Sequence, residues 1–317
     1  MNLMLSLQEL RVFLVAAETE NFSETGRRLG ISQPAVSMQI RSLEDRLDTE
    51  LFHRSGRHVS LTEAGHALVP LARDLAHRAI SLEETMASLH GDVVGVLRLA
   101  CTTTAGKYVL PRLLAGLRDL HPRVQVVCQV VHRALAMDLL SEGDAHVGMA
   151  SMTDGHRGLE FRPFVTDRIV LITRPDHTWA RRDRPVSTAE LLEGQFIVRE
   201  ETSGTYAAIT KGLAWHDLTV ADLHPVMTLG NSEAIRMAVQ EGLGVAFVST
   251  LVAREALEAG KIAVVPVEGL ELTKTLYLIR NPDIPASTAG AAFWEWAFAP
   301  ENEEIRQMPS RLAGALG

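Results

Sequence analysis

The sequence predicts a mainly helical N-terminal head, one long connecting helix and a C-terminal α/β region folded as two lobes. Three observations carry this. Short helical patterns crowd the first sixty residues. Leu68, Leu75, Leu82 and Leu89 are spaced by seven. From Gly95 onward, β-branched runs alternate with amphipathic helices, the mark of a sheet with helices on its faces.

The chain has 317 residues, 46% of them apolar and 22% charged, which predicts an ordinary soluble globular protein. That length exceeds one small core, so several domains are expected. The formal charge of −8 argues against nonspecific coating of nucleic acid and against an anionic membrane surface. Residues 1 to 60 are nearly neutral, with seven Arg against eight Asp or Glu, so the acidity lies in the rest. The basic side is almost all Arg; only Lys107, Lys211, Lys261 and Lys274 are lysines. Two cysteines, Cys101 and Cys128, do not make a disulfide scaffold. The opening MNLMLSLQEL lacks a basic region and a cleavage site, and no apolar run is long enough to span a bilayer. A cytoplasmic location is expected.

Leu7, Leu10, Phe13, Leu14 and Ala17 recur at helical spacing. Asn21-Phe22-Ser23 breaks that helix, and Ser23 is expected to cap a second one ending at Gly30. Ser32 caps a third, with Gln33 and Pro34 in its first turn, where Pro loses no hydrogen bond. In that third helix Val36, Ile40, Leu43 and Leu47 share the inward face. Gln33, Pro34, Ser37, Met38 and Arg41 share the other. A helix presenting amide, hydroxyl and guanidinium groups suits the major groove. A solvated helix face would look the same. The segment Leu51 to Leu61 then reads as a hairpin turning at Ser55-Gly56, with Arg54, Arg57 and His58 crowded at its tip. Such a basic wing suits phosphate or the minor groove.

The stretch LGISQPAVSMQIRSLEDRL followed by LFHRSGRHVSLTEAG resembles the winged helix-turn-helix of LysR-type transcriptional regulators. Two departures are visible. Thr25-Gly26 stands where the family usually has two alanines, at a helix-propensity cost of about 1 kcal/mol for the glycine. Asp48 replaces a usual Gly after the reading helix. Neither removes a base-facing residue. Arg27, Arg28, Ser32, Arg54, Arg57 and His58 are expected on the DNA backbone.

Thr62 is expected to cap a helix running to about Leu89. Leu68, Leu75 and Leu82, with Ala72, Ala79 and Met86 four residues after them, form a heptad seam of small and large residues. The seam packs either on its own domain or on a second chain, and a long helix between domains favours the second chain. Pro70 should kink or loosen the helix. The resemblance implies a homodimer through this helix, reading two half-sites of a palindrome. It further implies assembly to a homotetramer that bends promoter DNA.

Val96 to Cys101, Val124 to Val130 and His146 to Ala150 read as strands of a first lobe. The helix after the first of them carries Leu110, Leu113, Leu114 and Leu117 as a stripe. Arg168 to Thr173 starts a second lobe, with strands near Gln195–Arg199, Val226–Leu229, Val245–Ser249 and Ala263–Val267. Leu276 to Ile279 returns to the first lobe, and a helix over Ala291 to Phe298 closes it. Leaving and returning makes two crossings and a cleft, similar to the periplasmic-binding-protein-like effector domain of the family. The expected boundaries are 1–61 for the head, 62–91 for the linker and 92–300 for the effector domain. Its first lobe spans about 95–166 and 270–300 and its second about 167–269, with a loosely ordered tail at 301–317.

Thr102, Thr103 and Thr104, then Ser203, Gly204 and Thr205, then Asn231, each sit between a strand end and a helix start. Free N–H groups and the positive helix end favour anions there. Each side chain could instead simply cap its own helix. Three such segments around one cleft favour a small anionic or polar effector. CTTTAGKYVLP, the SGT turn and LGNSEAIRMAVQEGLGVAF look most like the branch controlling carbon-fixation and sulfur-assimilation genes. That resemblance suggests a phosphorylated metabolite, a nucleotide or a sulfur oxyanion.

The twelve His show no metal-ligand spacing, and no phosphate-binding or nucleophile motif occurs, so no metal, no cofactor and no catalysis are expected. Cys101 and Cys128 fall on neighbouring strands, as a redox pair or as two small core residues. The expected function is sequence-specific, effector-responsive transcription regulation, with promoter DNA and RNA polymerase as partners and no membrane. The rival is a small-molecule carrier or enzyme on the two-lobed fold. A carrier would show a signal peptide, and an enzyme would show converging acid and base groups.

Overall fold

The computed structural model describes residues 5–55, 58–88, 93–151 and 158–308. The chain forms two compact units, one from the first 91 residues and one from Asp92 to the end, apart from the short segment Ile284–Thr288.

In the first unit, α1 (Leu7–Thr19), α2 (Phe22–Leu29) and α3 (Gln33–Leu47) pack around Leu10, Phe13, Ala16, Val36, Ile40 and Leu43. Leu7, expected on the buried stripe of α1, is exposed, and Val12 is buried instead. Asn21, not Ser23, caps α2: its Oδ1 accepts from the amides of Ser23 and Glu24 at 3.0 and 3.1 Å. Asn at this position leaves Ser23 inside the first turn, and the cap satisfies two amides that have no partner within the helix. Gly26 has a packing reason. A Cβ there would lie 2.6 Å from the Ile31 carbonyl oxygen, so the turn approaches α2 too closely for alanine.

Ser32 caps α3 by accepting from the Ala35 amide at 3.3 Å. At its other end Asp48 adopts a left-handed conformation with φ 50°. That is the position where glycine costs least. Asp48→Gly is therefore expected to raise stability by about 0.5–1 kcal/mol in urea melts. Strands β1 (Phe52–Ser55) and β2 (His58–Leu61) form the antiparallel hairpin, Arg54 opposite Val59.

Helix α4 (Glu63–Ser88) starts where Thr62 Oγ1 accepts from the Gly65 amide at 3.0 Å, and it contains Pro70. Its heptad seam divides. Ala72 is fully buried and Leu68 packs beside it in the core of the head, which corrects the expectation that both face a second chain. Further along, Leu75, Leu82 and Met86 are exposed, as is Leu71, which the heptad count did not include. Ala79 is half-buried. The division follows from position. The first three turns of α4 cover the head core, and the later turns have nothing of that core left to cover. Leu89 lies outside the described residues.

The second unit is built on a seven-stranded sheet. The three parallel strands β3 (Gly95–Cys101), β4 (Val124–Val130) and β5 (Val147–Ser151) form one side, with β3 between the other two and β4 at the edge. A π-helical turn, Ala105–Val109, runs into α5 (Leu110–Leu120), whose Leu110, Leu113 and Leu117 are buried against β3 and β5. Helix α6 (Arg133–Ser141) covers the opposite face.

The centre is the antiparallel pair β6 (Glu160–Thr173) and β11 (Leu272–Arg280). Both strands are longer than their apolar patterns predict. The second lobe was expected to open with a strand at Arg168, whereas that strand is the later half of one that begins at Glu160 in the first lobe. The return strand likewise starts at Leu272, not Leu276. The reason is chemical. Asp167 and Lys274 interrupt the apolar runs, and they stand opposite each other in the register.

The later half of β6 pairs with β9 (Ala246–Ser249) and β10 (Ala263–Val265). After α7 (Thr188–Leu191), β7 (Phe196–Arg199) and β8 (Pro225–Leu229) make a small parallel pair bridged to Val245. Helices α8 (Gly204–Ala214), α9 (Ser232–Gln240) and α10 (Thr250–Glu258) enclose two further cores, and α11 (Thr288–Phe298) closes the first lobe. The expected loose tail is ordered at its start. Residues 303–308 are helical, and Asn302 and Met308 are buried, because Ile305 and Met308 complete the apolar surface beneath α5 and α11.

Candidate nucleic-acid interface and ligand cleft

On α3, Gln33, Pro34, Met38 and Arg41 are exposed and Ser37 is half-buried. Gln33 Nε2 donates to Ser37 Oγ at 2.9 Å, so these two side chains hold each other in place. Arg41 makes no ion pair or hydrogen bond among the described residues, which leaves its five donors available.

Arg27, Arg28 and Arg54 are partnered. Arg27 forms a two-pronged pair with Glu24 at 2.9 and 2.7 Å, and its hydrogen bond holds the Glu24 carboxyl below the usual range. Arg28 reaches Glu24 at 3.3 Å and Glu18 at 3.6 Å. Exposed pairs of this kind are worth little, so phosphate can displace them.

Arg54 differs. Its Nη2 lies 2.7 Å from Glu44 Oε2, and its guanidinium covers the Phe22 ring at 5.5 Å. The other Glu44 oxygen accepts from the amides of Leu51 and Phe52 at 2.9 and 3.2 Å. Glu44 therefore ties α3 to the base of the hairpin. Arg54, expected on phosphate, is held by that tie and stays partly exposed. Arg57 and the His58 side chain lie outside the described residues.

In the second unit the expected cleft segments divide by what their side chains do. Ser203 Oγ accepts from the Tyr206 amide at 3.0 Å and caps α8. Asn231 is exposed and caps α9 through the amides of Glu233 and Ala234 at 2.8 and 3.3 Å. Helix capping accounts for both. Thr102, Thr103 and Thr104 do not cap, and their hydroxyls make no hydrogen bond among the described residues. Thr205 is buried and accepts from Lys274 Nζ at 3.1 Å. Gly204 sits so close to the end of β5 that a Cβ would lie 1.9 Å from Ser151 Oγ. No other residue fits there.

Lys274 is the group that sequence reasoning passed over. It is buried with Asp167, whose Oδ2 stands 3.7 Å from Nζ. Thr250 donates to Asp167 Oδ1 at 3.2 Å, while Oδ2 has no hydrogen-bond partner. Burial pushes the Asp167 carboxyl up and the Lys274 ammonium down, and each opposes the other's shift. The neighbouring charge of Arg199 depresses Lys274 further. Arg199 is held by Glu200 at 2.6 and 2.7 Å and donates to Ser232 Oγ at 2.6 Å. A lysine inside the strand LTKTLYLIR, one of only four in the chain, was the available signal.

The lobes are also latched. Tyr108, on the π-helical turn, donates to Glu233 Oε1 on α9. Lys107 and Arg236 reach the same carboxylate at 3.1 and 3.0 Å. Burial pushes Glu233 up, but these three partners outweigh it and hold the carboxyl below its usual range. Burial and the Glu233 charge push the Tyr108 phenol up. Of the three expected segments, the first leads through Tyr108 to Glu233, two residues after Asn231, and the second abuts Ser151 at the end of β5 through Gly204. A separate cavity of about 560 Å³, lined by Arg168, Trp215, His216 and Val265, contains none of them.

Residues 7–66 match the model of the bacterial regulatory helix-turn-helix proteins of the lysR family, and residues 90–299 match the LysR substrate binding domain. The chain belongs to the LysR family. It is a DNA-binding transcription regulator with an effector-binding domain, from a family of regulators rather than enzymes. A relative named as the RuBisCO operon transcriptional regulator of Allochromatium vinosum is 32% identical, over 97% of this chain and 99% of its own. The likeness to the carbon-fixation branch is thereby borne out. Among solved structures, full-length CbnR complexed with its target DNA superposes with a TM-score of 0.63 at 23% identity, covering 92% of this chain and 99% of that one. The CcmR regulatory domain from Synechocystis PCC6803 in complex with 2-PG gives 0.58 at 25% identity, covering 64% and 95%. Among the described residues of this LysR regulator no helix is long and apolar enough to cross a membrane, and no cluster of three metal-ligating side chains occurs.

Proposed function

We propose that this LysR regulator reads a palindromic operator through α3 and responds to a small phosphorylated anion held between the lobes of its effector domain. Gln33, Pro34, Ser37, Met38 and Arg41 read base edges, with Arg41 the principal contact. Arg27, Arg28, Ser32, Arg54, Arg57 and His58 hold phosphates, and the Arg54–Glu44 pair also ties the hairpin base to α3. The head (1–61), the linker helix (62–91) and the effector domain (92–300) act as separate parts. The exposed part of α4 pairs two chains, and two dimers form a tetramer that contacts RNA polymerase in the cytoplasm.

In the cleft, Lys274 supplies the charge, the threonine hydroxyls of 102–104 and Thr205 supply hydrogen bonds, and the α8 N-terminus at Ser203-Gly204 adds its dipole. Asn231 orders α9 at the rim. An anion there competes with Asp167 and Glu233 for their cations, loosens the latch and changes the angle between reading heads and hence the DNA bend. The relative solved with 2-PG supports a phosphorylated carboxylate as the ligand class.

The reading rests most on one observation, the unpartnered Arg41 among the small polar groups of α3. A gel shift on DNA upstream of the chain's own gene tests it. Arg41→Ala is expected to weaken operator binding about 10- to 100-fold while leaving random duplex nearly unaffected. Binding should also fall steeply with salt. Equal operator binding by wild type and variant would remove α3 from the reading role.

A further inference from the structure

Cys101 and Cys128 have no part in the reading above, yet they stand together. Their sulfurs are 3.6 Å apart on neighbouring parallel strands, Cys101 at the carboxyl end of β3 and Cys128 diagonal to it, two residues before the end of β4. Cys128 lies on the edge strand β4 and is exposed, whereas Cys101 is fully buried beneath the π-helical turn. A Cβ on Gly106 would lie 2.9 Å from Cys101 Sγ and 2.9 Å from Val130 Cγ2. The turn that carries Lys107 and Tyr108, both ligands of Glu233 in the lobe latch, thus rests directly on the buried sulfur.

We infer that Cys128 and Cys101 form a thiol modification site for peroxides, with Cys128 as the attacking sulfur and Cys101 as the resolving one. Cys128 thiolate attacks one oxygen of hydrogen peroxide; the O–O bond breaks, a sulfenic acid forms and hydroxide leaves to be protonated as water. Cys101 thiol then attacks the sulfenic sulfur. The S–S bond forms, and the sulfenic oxygen leaves as a second water with the Cys101 proton. Two thiols are oxidised by two electrons and one peroxide is reduced to two waters.

The asymmetry of the pair suits these roles. An attacking thiol must be reachable and deprotonated, and a resolving one need only be adjacent. The hydrogen bond from Cys101 draws Cys128 down to about 7, against burial, while that bond and burial push Cys101 up. Closing the sulfurs from 3.6 Å to about 2.05 Å draws the end of β4 and Cys101 Sγ toward each other and withdraws support from Gly106. Oxidation therefore acts on the latch. This device is independent of which anion fills the cleft.

The test uses the full-length reduced protein, treated at neutral pH with a small excess of hydrogen peroxide and then with N-ethylmaleimide. Intact mass should show the loss of two hydrogens and no maleimide adduct, with a Cys101–Cys128 cross-linked peptide that dithiothreitol separates. Cys101→Ser should stop at one added oxygen that dimedone traps, and Cys128→Ser should remain reduced. Iodoacetamide labelling of Cys128 in the Cys101-containing protein should rise through pH about 7. Hydrogen exchange in residues 103–110 should accelerate on oxidation and recover with dithiothreitol. Full maleimide labelling after peroxide, or a disulfide only between two chains, would overturn the site. A disulfide with unchanged exchange in residues 103–110 would overturn its link to the latch.

Discussion

Lys274→Met is expected to destabilise the effector domain by about 3–5 kcal/mol, because it leaves the Asp167 carboxylate buried without its counter-charge. For a domain of this size that is a fall of roughly 6–20 °C in melting temperature. Lys274→Met combined with Asp167→Asn should recover most of it, since removing both charges ends their desolvation cost. Two effects then separate. In differential scanning fluorimetry the double variant should melt near wild type yet show no upward shift with 2-phosphoglycolate, whereas wild type shifts. A double variant that melts near wild type and still responds to the anion would remove Lys274 from the ligand site. A single variant as stable as wild type would show that the pair is not the buried ion pair of the β6–β11 centre.

The second large effect concerns α4. Leu71, Leu75, Leu82 and Met86 are 64%, 43%, 67% and 58% exposed in the single chain, an unusual load of apolar surface for one helix. Each buried side chain of this size stabilises by about 1.5–3 kcal/mol, and a two-fold contact counts each of them twice. Leu75→Asp with Leu82→Asp should therefore halve the particle mass seen by sedimentation or mass photometry. Operator affinity should fall about 100-fold or more, because each half-site then binds alone. Retained mass with both aspartates in place would mean that the stripe is covered by something other than a second chain.

The elements that were legible in the sequence are those where local pattern and burial agree. The period of Val36, Ile40 and Leu43 fixed the inward face of α3, and the outward residues followed from it. The hairpin was legible because Ser55-Gly56 punctuates two short segments with apolar residues, Leu51-Phe52 and Val59 with Leu61. Elsewhere a local signal competed with a tertiary one. Leu68 and Ala72 fit a coiled-coil period, but the head needed them first. Ser23 is a good cap residue, but it lies inside the helix, and Asn21 just before the helix takes both amides. The strands β6 and β11 were cut short because charged residues rarely lie in a central strand. The two charges that hid these strands, Asp167 and Lys274, form a buried ion pair across the β6–β11 register. The side chains of Ser203 and Asn231 cap their helices, Thr205 accepts from Lys274, and the hydroxyls at 102–104 make no hydrogen bond among the described residues. No spacing rule reveals the Tyr108–Glu233 latch, because its partners are 125 residues apart in the chain.

The relation between anion and DNA is most directly measured on an operator fragment labelled at both ends with a donor and an acceptor dye. With wild-type protein bound, 2-phosphoglycolate should change energy transfer between the ends, with the same half-saturation that it shows in thermal shift. The Lys274→Met, Asp167→Asn double variant should bend the fragment without any response to the anion. Unchanged energy transfer at anion concentrations that saturate the thermal shift would contradict a cleft ligand that controls how the two heads hold DNA.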